Sequence, residues 1–416
     1  MTGGRFRRRP TTRPAATPTT RASAIDLIAA WALRLGLPAV SVPIRLVVRP
    51  SRRVVMLSRE ETGEPLDFRL LREALARLEP DLEVRVDARR QQPGLSGRVR
   101  FAFGLLAQLR LAATARVVVV DTYSPVVSLI GWRGRVRVIQ IWHALGALKQ
   151  FGWDSAGRPG GRPLALARAM RMHRGYDLVL ASSERCRRPY ASAFRVPPER
   201  IDVAPLPRVD LLLDSSLREA TRQRILAAFP QLGEAEVVVY APTFRASKAA
   251  DVAALASAVS RHGKTLVHAP HPLSFKGEEV FVAEGFTTAE LLGVASAFVT
   301  DYSSAVFEAA LAGIPCYFYA PDLEEYEAER GLYLDLAAEL PGSVHTDPGA
   351  LAEAIAAGQI SPGAARAFAA RWIALPELGS TQGGHGFANS LAAIVRRSLS
   401  RAEAKRGEAP GNGLPS

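Results

Sequence analysis

Residues 299–319 read V-T-D-Y-S-S-A-V-F-E-A-A-L-A-G-I-P-C-Y-F-Y and contain an apolar strand end, a polar turn, a helical run and a second apolar strand. Gly313 and Pro315 end the helical run, because glycine favours helix C-caps and proline cannot continue a helix. Strand, helix and strand in this order predict a parallel βαβ unit, and such units bind ligands at the carboxyl ends of their strands. The stretch therefore predicts an α/β fold and a candidate site in its polar turn.

The polar turn contains Asp301, Ser303 and Ser304, directly before the helical run. The N–H groups of a first helical turn have no intrahelical partner and the helix dipole is positive there, so an anion is favoured at this end. The two serine hydroxyls could help to bind a phosphate, or could only cap the helix. Glu308 lies one turn further along the same face, where it could accept hydrogen bonds from a sugar hydroxyl or remain solvated.

The rest of the chain also alternates apolar strands with amphipathic helices. Strands are predicted at 54–57, 82–86, 116–121, 176–184, 201–204, 236–240, 265–267, 297–299 and 315–319, helices at 66–78, 101–111 and 387–399, and a loop at 89–97. This alternation predicts parallel sheets with right-handed crossovers. Because 416 residues exceed the usual size of one core, we expect two Rossmann-like domains, at 54–212 and 213–400. A disordered tail is expected at 401–416.

The positive charge of the chain is concentrated at its ends. Of the formal +13, residues 1–53 supply eleven arginines against the single acid Asp26, and 396–416 supply five basic residues against two acids, so the central part is neutral. A nucleic-acid partner is therefore not expected. Basic ends favour a peripheral position on an anionic membrane surface, on the cytoplasmic side. Residues 1–53 are predicted to be partly disordered, with 22–37 forming an interfacial or a domain-packing helix.

A second candidate site lies in the first domain, where residues 136–154 read V-R-V-I-Q-I-W-H-A-L-G-A-L-K-Q-F-G-W-D. An apolar strand brings His143 to the ligand edge of the sheet, and a histidine pKa near 6.5 suits proton abstraction at neutral pH. His143 could also be a histidine with a purely structural role. Lys149 could hold a phosphate as a point charge or be a solvated loop residue.

Two further strand ends carry polar candidates in the second domain. Thr243 and Arg245 follow the strand at 236–240 and form a plausible pair for an oxyanion, since guanidinium matches phosphate bidentately. His268 and His271 lie three residues apart, but Pro270 prevents a regular helical face between them. No metal site and no cofactor are therefore predicted. Asp210 is expected to cap the helix that begins the interdomain linker.

Six blocks in a fixed order are similar to the CDP-glycerol glycerophosphotransferases that build teichoic acids. The blocks are Trp142, His143, Gly146, Lys149 and Gly152; Pro207, Arg208 and Asp210; 241–245; His271 and Pro272; 300–304 with Glu308; and Asp322, Tyr326, Arg330 and Gly331. The resemblance covers roughly 115–397. It implies a glycosyltransferase-B type of fold, with two Rossmann-like domains facing a cleft and the nucleotide held by the second.

The resemblance also implies a reaction and a role for each candidate. A hydroxyl of a polyprenol-linked cell-wall or capsule polymer attacks the β-phosphorus of CDP-glycerol or CDP-ribitol, and CMP leaves. His143 would be the general base and His271 would bind the phosphates or assist the departure of CMP. Thr243, Arg245, Asp301, Ser303 and Ser304 would bind the donor, Glu308 its ribose, and Lys149 and Arg330 its phosphates. This account needs no metal, and a role for Mg²⁺ stays open.

The sequence alone leaves three other functions open. A glycosyltransferase with a nucleotide-sugar donor would use the same fold, and a capsule-type ligase would differ only in its CDP-alditol pocket. A non-enzymatic lipid-binding scaffold would need only the basic ends. The alditol, the acceptor, and the choice between primase and polymerase are not determined by these motifs.

Overall fold

Two parallel sheets organise the chain. The computed structural model describes residues 22–59, 63–90, 94–132, 134–243, 251–269, 280–375 and 386–407. The first sheet contains β1 (Arg53–Ser58), β2 (Glu83–Ala88), β3 (Val117–Val120), β4 (Arg137–Gln140), β5 (Leu178–Ala181) and β6 (Ile201–Val203). The second contains β7 (Glu236–Tyr240), β8 (Lys264–His268), β9 (Ala295–Thr300), β10 (Cys316–Tyr319) and β11 (Val344–His345).

All strand pairs within the two sheets are parallel, with the order β2-β1-β3-β4-β5-β6 in the first sheet and β11-β10-β9-β7-β8 in the second. The four valines of β3 are fully buried, as expected for a central strand covered on both faces. The predicted α/β fold with two Rossmann-like sheets is confirmed. Because the carboxyl ends of parallel strands share one edge, each sheet presents its strand-end residues together.

Helices separate the strands along the chain. In the first part they are α1 (Ala24–Val47), α2 (Leu66–Leu78), α3 (Gly94–Thr114), α4 (Pro125–Leu129), α5 (Gly152–Ser155), α6 (Leu164–Ala169), α7 (Glu184–Phe194), α8 (Arg208–Leu213) and α9 (Ser215–Ala228). In the second part they are α10 (Val252–Ser260), α11 (Thr288–Leu291), α12 (Ala305–Leu311), α13 (Leu323–Glu329), α14 (Leu336–Glu339), α15 (Pro348–Ala356), α16 (Pro362–Trp372) and α17 (Gly386–Gly407). Short 3₁₀ turns lie at Pro198–Arg200 and Pro230–Leu232.

Local signals predicted some elements well and others poorly. The helix expected at 66–78 and the strand expected at 236–240 have the observed bounds. The loop expected at 89–97 is wrong from Gly94 onward, where α3 begins. Helix α1 continues through Pro38 and Pro43 as far as Val47, ten residues beyond the predicted end at 37, because its packing on α3, α4 and α6 compensates for the two prolines.

The last helix returns to the first sheet. Helix α17 packs on α2, α8 and β3, and Arg396 donates to Glu79 at 2.6 Å. The sequence assigned this helix to the second domain and expected a disordered tail from 401, but the helix continues to Gly407. Asp210 accepts from the backbone N–H groups of Phe387 (3.0 Å) and Ala388 (2.9 Å), so it caps α17 rather than the linker helix.

Candidate active site

A strained turn after β4 carries His143. The residue before it, Trp142, has a φ of 60°, in the left-handed region that non-glycine residues seldom adopt. The Gln140 side chain holds this turn, because its Oε1 accepts from the Trp142 N–H at 2.8 Å while its Nε2 donates to the Thr122 carbonyl at 3.1 Å. Gln140 is completely buried. Strain held in this way at a strand end is typical of functional sites.

The hydrogen bond of His143 determines which of its ring nitrogens carries the proton. Its Nδ1 lies 3.2 Å from the carbonyl oxygen of Asp121. A carbonyl oxygen can only accept, so Nδ1 is the donor and Nε2 of the neutral ring keeps its lone pair. The Trp142 ring lies 4.2 Å from the imidazole, centroid to centroid. The unprotonated nitrogen is therefore Nε2, and an unprotonated ring nitrogen is what a general base requires.

The glycines of the His143 block are required by close contacts. Gly146 has a φ of +65°, and a Cβ built on it would lie 2.5 Å from Cε2 of Phe307 in α12. Gly152 has a φ of +57°, and a Cβ there would lie 2.3 Å from the Ala193 carbonyl oxygen. The Gly146 N–H also donates to the Ser182 hydroxyl at 3.2 Å. The His143 loop of the first sheet therefore packs directly on the helix that follows the polar turn of the second.

We expect Gly146→Ala to weaken this interdomain contact. The new methyl group would overlap the Phe307 ring, and the left-handed backbone at this position adds strain. A loss of about 1–3 kcal/mol in the free energy of unfolding is expected, measured by urea denaturation. Gly263→Ala is the matched control, because Gly263 also has a positive φ, +70°, but open space where the Cβ would lie. Equal losses in the two variants would show that the Phe307 contact contributes nothing.

Lys149 and Arg330, predicted to bind phosphates, lie on adjoining backbone segments. Lys149 forms an antiparallel bridge with Leu332, supported by the bonds Gln150 N–H to Gly331 O (2.9 Å) and Tyr333 N–H to Leu148 O (2.8 Å). The Arg330 Nη1 donates to Gly160 O at 2.5 Å. The Nε of Arg330 is buried with no hydrogen-bond partner among the described residues. Two blocks that lie about 180 residues apart in sequence are thus joined.

Asp301 connects the polar turn to the strand end that carries Thr243. Its Oδ1 accepts from the Thr243 N–H at 2.8 Å, and its Oδ2 accepts from the Thr243 hydroxyl at 2.7 Å. Asp301 is only 4% exposed. The Thr243 hydroxyl proton is directed at this carboxylate, and the donor-binding role predicted for Asp301 and Thr243 stays a prediction. Arg245, the predicted partner of Thr243, lies outside the described residues, as does His271.

Ser303 and Ser304 differ in how much of their hydrogen-bonding capacity the protein uses. The Ser303 hydroxyl accepts from the Ala305 N–H at 3.3 Å, so it partly caps α12. Ser304 occupies the N-cap position without a side-chain capping bond. Across the described ranges, neither backbone N–H of these serines nor the Ser304 hydroxyl has a protein partner. These donors are half-buried and remain available to an anion.

The polar turn also contacts the block that ends in Arg330. The rings of Tyr302 and Tyr326 stack with centroids 3.7 Å apart and an interplanar angle of 8°. The Tyr302 hydroxyl donates to Asp322 Oδ1 at 3.1 Å. Because Tyr326 lies one turn before Arg330, this stack fixes the position of the arginine relative to the two serines.

Glu308 has a protein partner that the sequence did not predict. Its Oε1 accepts from Arg208 Nη1 at 2.7 Å, and the Arg208 Nε donates to Asp67 Oδ2 at 2.8 Å. The side chain of Glu308 is 11% exposed and that of Asp67 is 5% exposed. The two carboxylates raise the pKa of Arg208 despite its burial. This triad connects α2, α8 and α12, so Glu308 lies within an interdomain ion network rather than in solvent.

Sequence reasoning missed the roles of Gln140, Arg208 and Asp67. Arg208 occurs in a family block, but its partners lie 141 and 100 residues away, and no local pattern identifies them. Gln140 lies in the apolar run before His143, where the sequence predicts only a strand. In the portion of the chain that the structure describes, no group of three or more His, Cys, Asp or Glu side chains could hold a metal ion.

Behind Trp142 lies a buried histidine whose titration affects stability. His173 is 4% exposed, and burial, with smaller contributions from Arg162 and His143, lowers its pKa to about 3. In the unfolded chain its pKa would be near 6.5. Above pH 6.5 both states are neutral at this residue. As the pH falls below that value, only the unfolded state takes up the proton, so the folded state becomes less stable.

We therefore expect the free energy of unfolding to fall between pH 6.5 and 5, by up to about 1.4 kcal/mol per pH unit from His173. Urea denaturation at several pH values measures this slope, and His173→Gln should reduce it. His268, whose pKa burial also lowers, should leave a smaller residual slope. An unchanged slope in His173→Gln would contradict the assignment.

Comparison with known proteins identifies the family of this chain. A family model described as CDP-Glycerol:Poly(glycerophosphate) glycerophosphotransferase matches residues 42–381. A teichoic acid ribitol-phosphate primase of Bacillus spizizenii is 29% identical over 310 residues, covering 71% of this chain and 79% of the primase. A teichoic acid glycerol-phosphate primase of Bacillus subtilis is 24% identical, covering 57% of this chain and 64% of the primase. The chain spans about half the length of a poly(ribitol-phosphate) polymerase that it also matches.

Solved structures show the same fold. The wall teichoic acid polymerase TagF superposes with a TM-score of 0.66 at 17% identity, covering 93% of this chain and 100% of that one. MnaA of S. aureus, solved with UDP, gives a TM-score of 0.53 at 13% identity, covering 88% of this chain and 100% of that one. The TagF match agrees with the predicted glycosyltransferase-B type. With the family model covering most of its length, the chain belongs to the CDP-glycerol:poly(glycerophosphate) glycerophosphotransferase family and is an enzyme of that family.

Proposed function

We propose that the protein transfers glycerol phosphate or ribitol phosphate from a CDP-alditol to a hydroxyl of a polyprenol-linked cell-wall or capsule polymer. The acceptor oxygen attacks the β-phosphorus, a new phosphodiester bond forms, and the bond to CMP breaks. The acceptor proton passes to Nε2 of His143, and CMP leaves with the electrons of the broken bond. The single observation that carries this proposal is the strained, Gln140-held turn with its Nδ1-donating imidazole.

Donors in the second domain support the phosphate side of the reaction. The N–H groups of Ser303 and Ser304, the Ser304 hydroxyl and the buried Nε of Arg330 lack protein acceptors among the described residues. Such donors stabilise charge that develops on phosphate oxygens, and phosphoryl transfer depends mainly on this kind of electrostatic stabilisation. Lys149 contributes positive charge from the first domain. Arg245 and His271 are proposed to act here on the family resemblance alone.

Glu308 is proposed to bind the donor ribose in addition to its ion pair with Arg208. Its carboxylate has two oxygens, and Oε1 accepts from Arg208. A carboxylate can accept several hydrogen bonds, so Oε2 can accept from a ribose hydroxyl. The arginine would then keep the carboxylate charged and oriented.

Product analysis tests the reaction. Purified protein is incubated with CDP-glycerol or CDP-ribitol and a lipid-linked disaccharide, with and without a priming glycerol phosphate. CMP release with a mass increase of one alditol phosphate indicates a primase, and an increase of many indicates a polymerase. Failure of both donors, with UDP released from a nucleotide-sugar, would reject the phosphotransferase and identify a glycosyltransferase.

We also propose that α1 attaches the protein to the cytoplasmic face of the membrane. One side of this helix packs on the protein through Ala30, Leu37 and Ser41. The other side exposes a stripe at helical spacing, formed by Ile25, Ile28, Trp31, Leu35, Val42 and Leu46. By length and composition alone the helix could cross a membrane. Its protein-facing side and the arginines of residues 1–53 favour an interfacial position on anionic lipid.

Vesicle flotation tests the attachment. We expect Ile28→Ser with Leu35→Ser to weaken binding to phosphatidylglycerol vesicles by at least about tenfold, because two large apolar side chains would no longer be buried in lipid. Both residues are more than 65% exposed, so the fold should survive. Leu217→Ser, at an exposed leucine in α9, is the control. Equal binding by all three proteins would reject α1 as the anchor.

A further inference from the structure

A cavity of about 360 Å³ opens on the first domain. Its charged lining consists of Arg171, Arg174, Arg195 and Arg200. The apolar part of its lining includes Trp153 and Phe194. None of the eight described site candidates lines this cavity. The cavity is therefore a separate feature of the first domain.

Among the residues that the structure describes, no carboxylate forms an ion pair with these arginines. In the described ranges, none of the four forms a salt bridge, and no acidic side chain lines the cavity. The nearby carboxylates have other partners: Asp177 accepts from the Val138 N–H at 2.8 Å, and Asp154 accepts from the Ser192 and Tyr333 hydroxyls. Burial and the neighbouring charges of Arg174 and Arg34 lower the pKa of Arg171. The four guanidinium groups therefore place an excess of positive charge around one cavity.

The backbone around the cavity is held in uncommon conformations. Arg171, His173 and Arg195 have φ values of 47°, 60° and 51°, and they are three of the four non-glycine residues with positive φ in the described chain. Non-glycine residues adopt this region at a cost, and they do so where the surroundings impose it, often at ligand sites. Two of the four cavity arginines thus lie at such positions, and Arg195 is the C-cap of α7.

The arginines are also positioned by their contacts. The Arg195 guanidinium lies 3.8 Å above the centroid of the Trp153 ring, a stacking that leaves its N–H edge available for an anion. Arg200 Nη1 donates to the Tyr176 carbonyl at 3.3 Å. His173 is buried and neutral at working pH, so it adds no charge. Charge recognition in the cavity comes from the guanidinium groups.

We propose that this cavity is a binding site for a phosphate group, held by Arg171, Arg174, Arg195 and Arg200. Guanidinium groups match phosphate oxygens in geometry as well as in charge. The cavity lies next in sequence to a segment that contacts α1. Arg34 of α1 donates to the carbonyls of Arg168 and Ala169, and the cavity residue Arg171 follows them in the chain. A lipid headgroup at the membrane surface and a soluble phosphate both supply this chemistry.

Titration with inorganic phosphate by calorimetry, at constant ionic strength, tests the site. We expect Arg171→Gln with Arg174→Gln to weaken binding by at least about tenfold for each charge removed. Arg188→Gln, which removes an exposed arginine of the same domain outside the cavity, should bind as the wild type does. If the double variant does not fold by circular dichroism, the exposed Arg174→Gln alone is used.

Flotation on phosphatidylcholine vesicles, with and without phosphatidylglycerol, distinguishes the two sources of phosphate. If the double variant loses both phosphate binding and the preference for vesicles that contain phosphatidylglycerol, the site binds a lipid headgroup. If it loses phosphate binding alone, the site binds a soluble phosphate. No phosphate binding by the wild type, or an equal loss in Arg188→Gln, overturns the proposal. CMP release is measured in parallel, so failure of the reaction is recognised independently of this result.

Discussion

His143→Ala is expected to lower the rate of CMP release by about 10²–10⁴-fold, the usual contribution of a general base. The Asp121 carbonyl fixes Nδ1 as the donor and leaves Nε2 unprotonated. In the proposed reaction Nε2 takes the acceptor proton, and alanine has no base to replace it. A radiometric or coupled assay of CMP release with CDP-glycerol and CDP-ribitol measures the change. The loss should fall on kcat more than on KM, because the proton transfer occurs only in the transition state.

His262→Ala serves as the matched control, since His262 is an exposed histidine at the end of α10. It should retain wild-type turnover. Both variants are compared with the wild type by circular dichroism, because His143 also contributes to the packing of Trp142. A folded His143→Ala protein with wild-type turnover would exclude His143 as the base.

Arg208→Met is expected to lower the free energy of unfolding by about 3–5 kcal/mol. Methionine approximates the volume of the arginine stem but leaves Asp67 and Glu308 buried without their shared cation. Unfolding by urea, followed by circular dichroism, measures the loss. Because the triad joins helices from both parts of the chain, the variant should also expose the interface between them to proteolysis.

Two comparisons isolate the buried charge as the cause. Arg224→Met breaks the exposed pair of Arg224 with Glu290, and it should cost less than about 1 kcal/mol. Adding Asp67→Asn and Glu308→Gln to Arg208→Met should recover most of the stability, since no unpaired charge then remains buried. A triple variant as unstable as Arg208→Met would show that the arginine acts through packing and not through charge.

Local sequence patterns predicted the features that depend only on residues close together in the sequence. The buried valine runs, the helical spacing of leucines at 66–78 and the polar turn at 300–304 predicted the parallel α/β architecture. The carboxyl-end rule placed His143 and the two serines at ligand edges, and the order of the six blocks predicted the family that the comparisons confirm. The roles of the individual site residues stay predictions until the variants are measured.

The same patterns could not say which side chains meet across the fold. The partners of Arg208, the overlap of a Gly146 methyl group with Phe307 and the return of α17 to the first sheet all depend on contacts between distant segments. Asp210 shows the difference: its identity predicts a helix cap, and only the tertiary structure decides that the helix is α17. Most strands and several helices, with the chemical groups they carry, could be predicted from local sequence, because periodicity and capping act over a few residues. Tertiary structure decided the pairings, because burial and charge neutralisation depend on neighbours brought together only by folding.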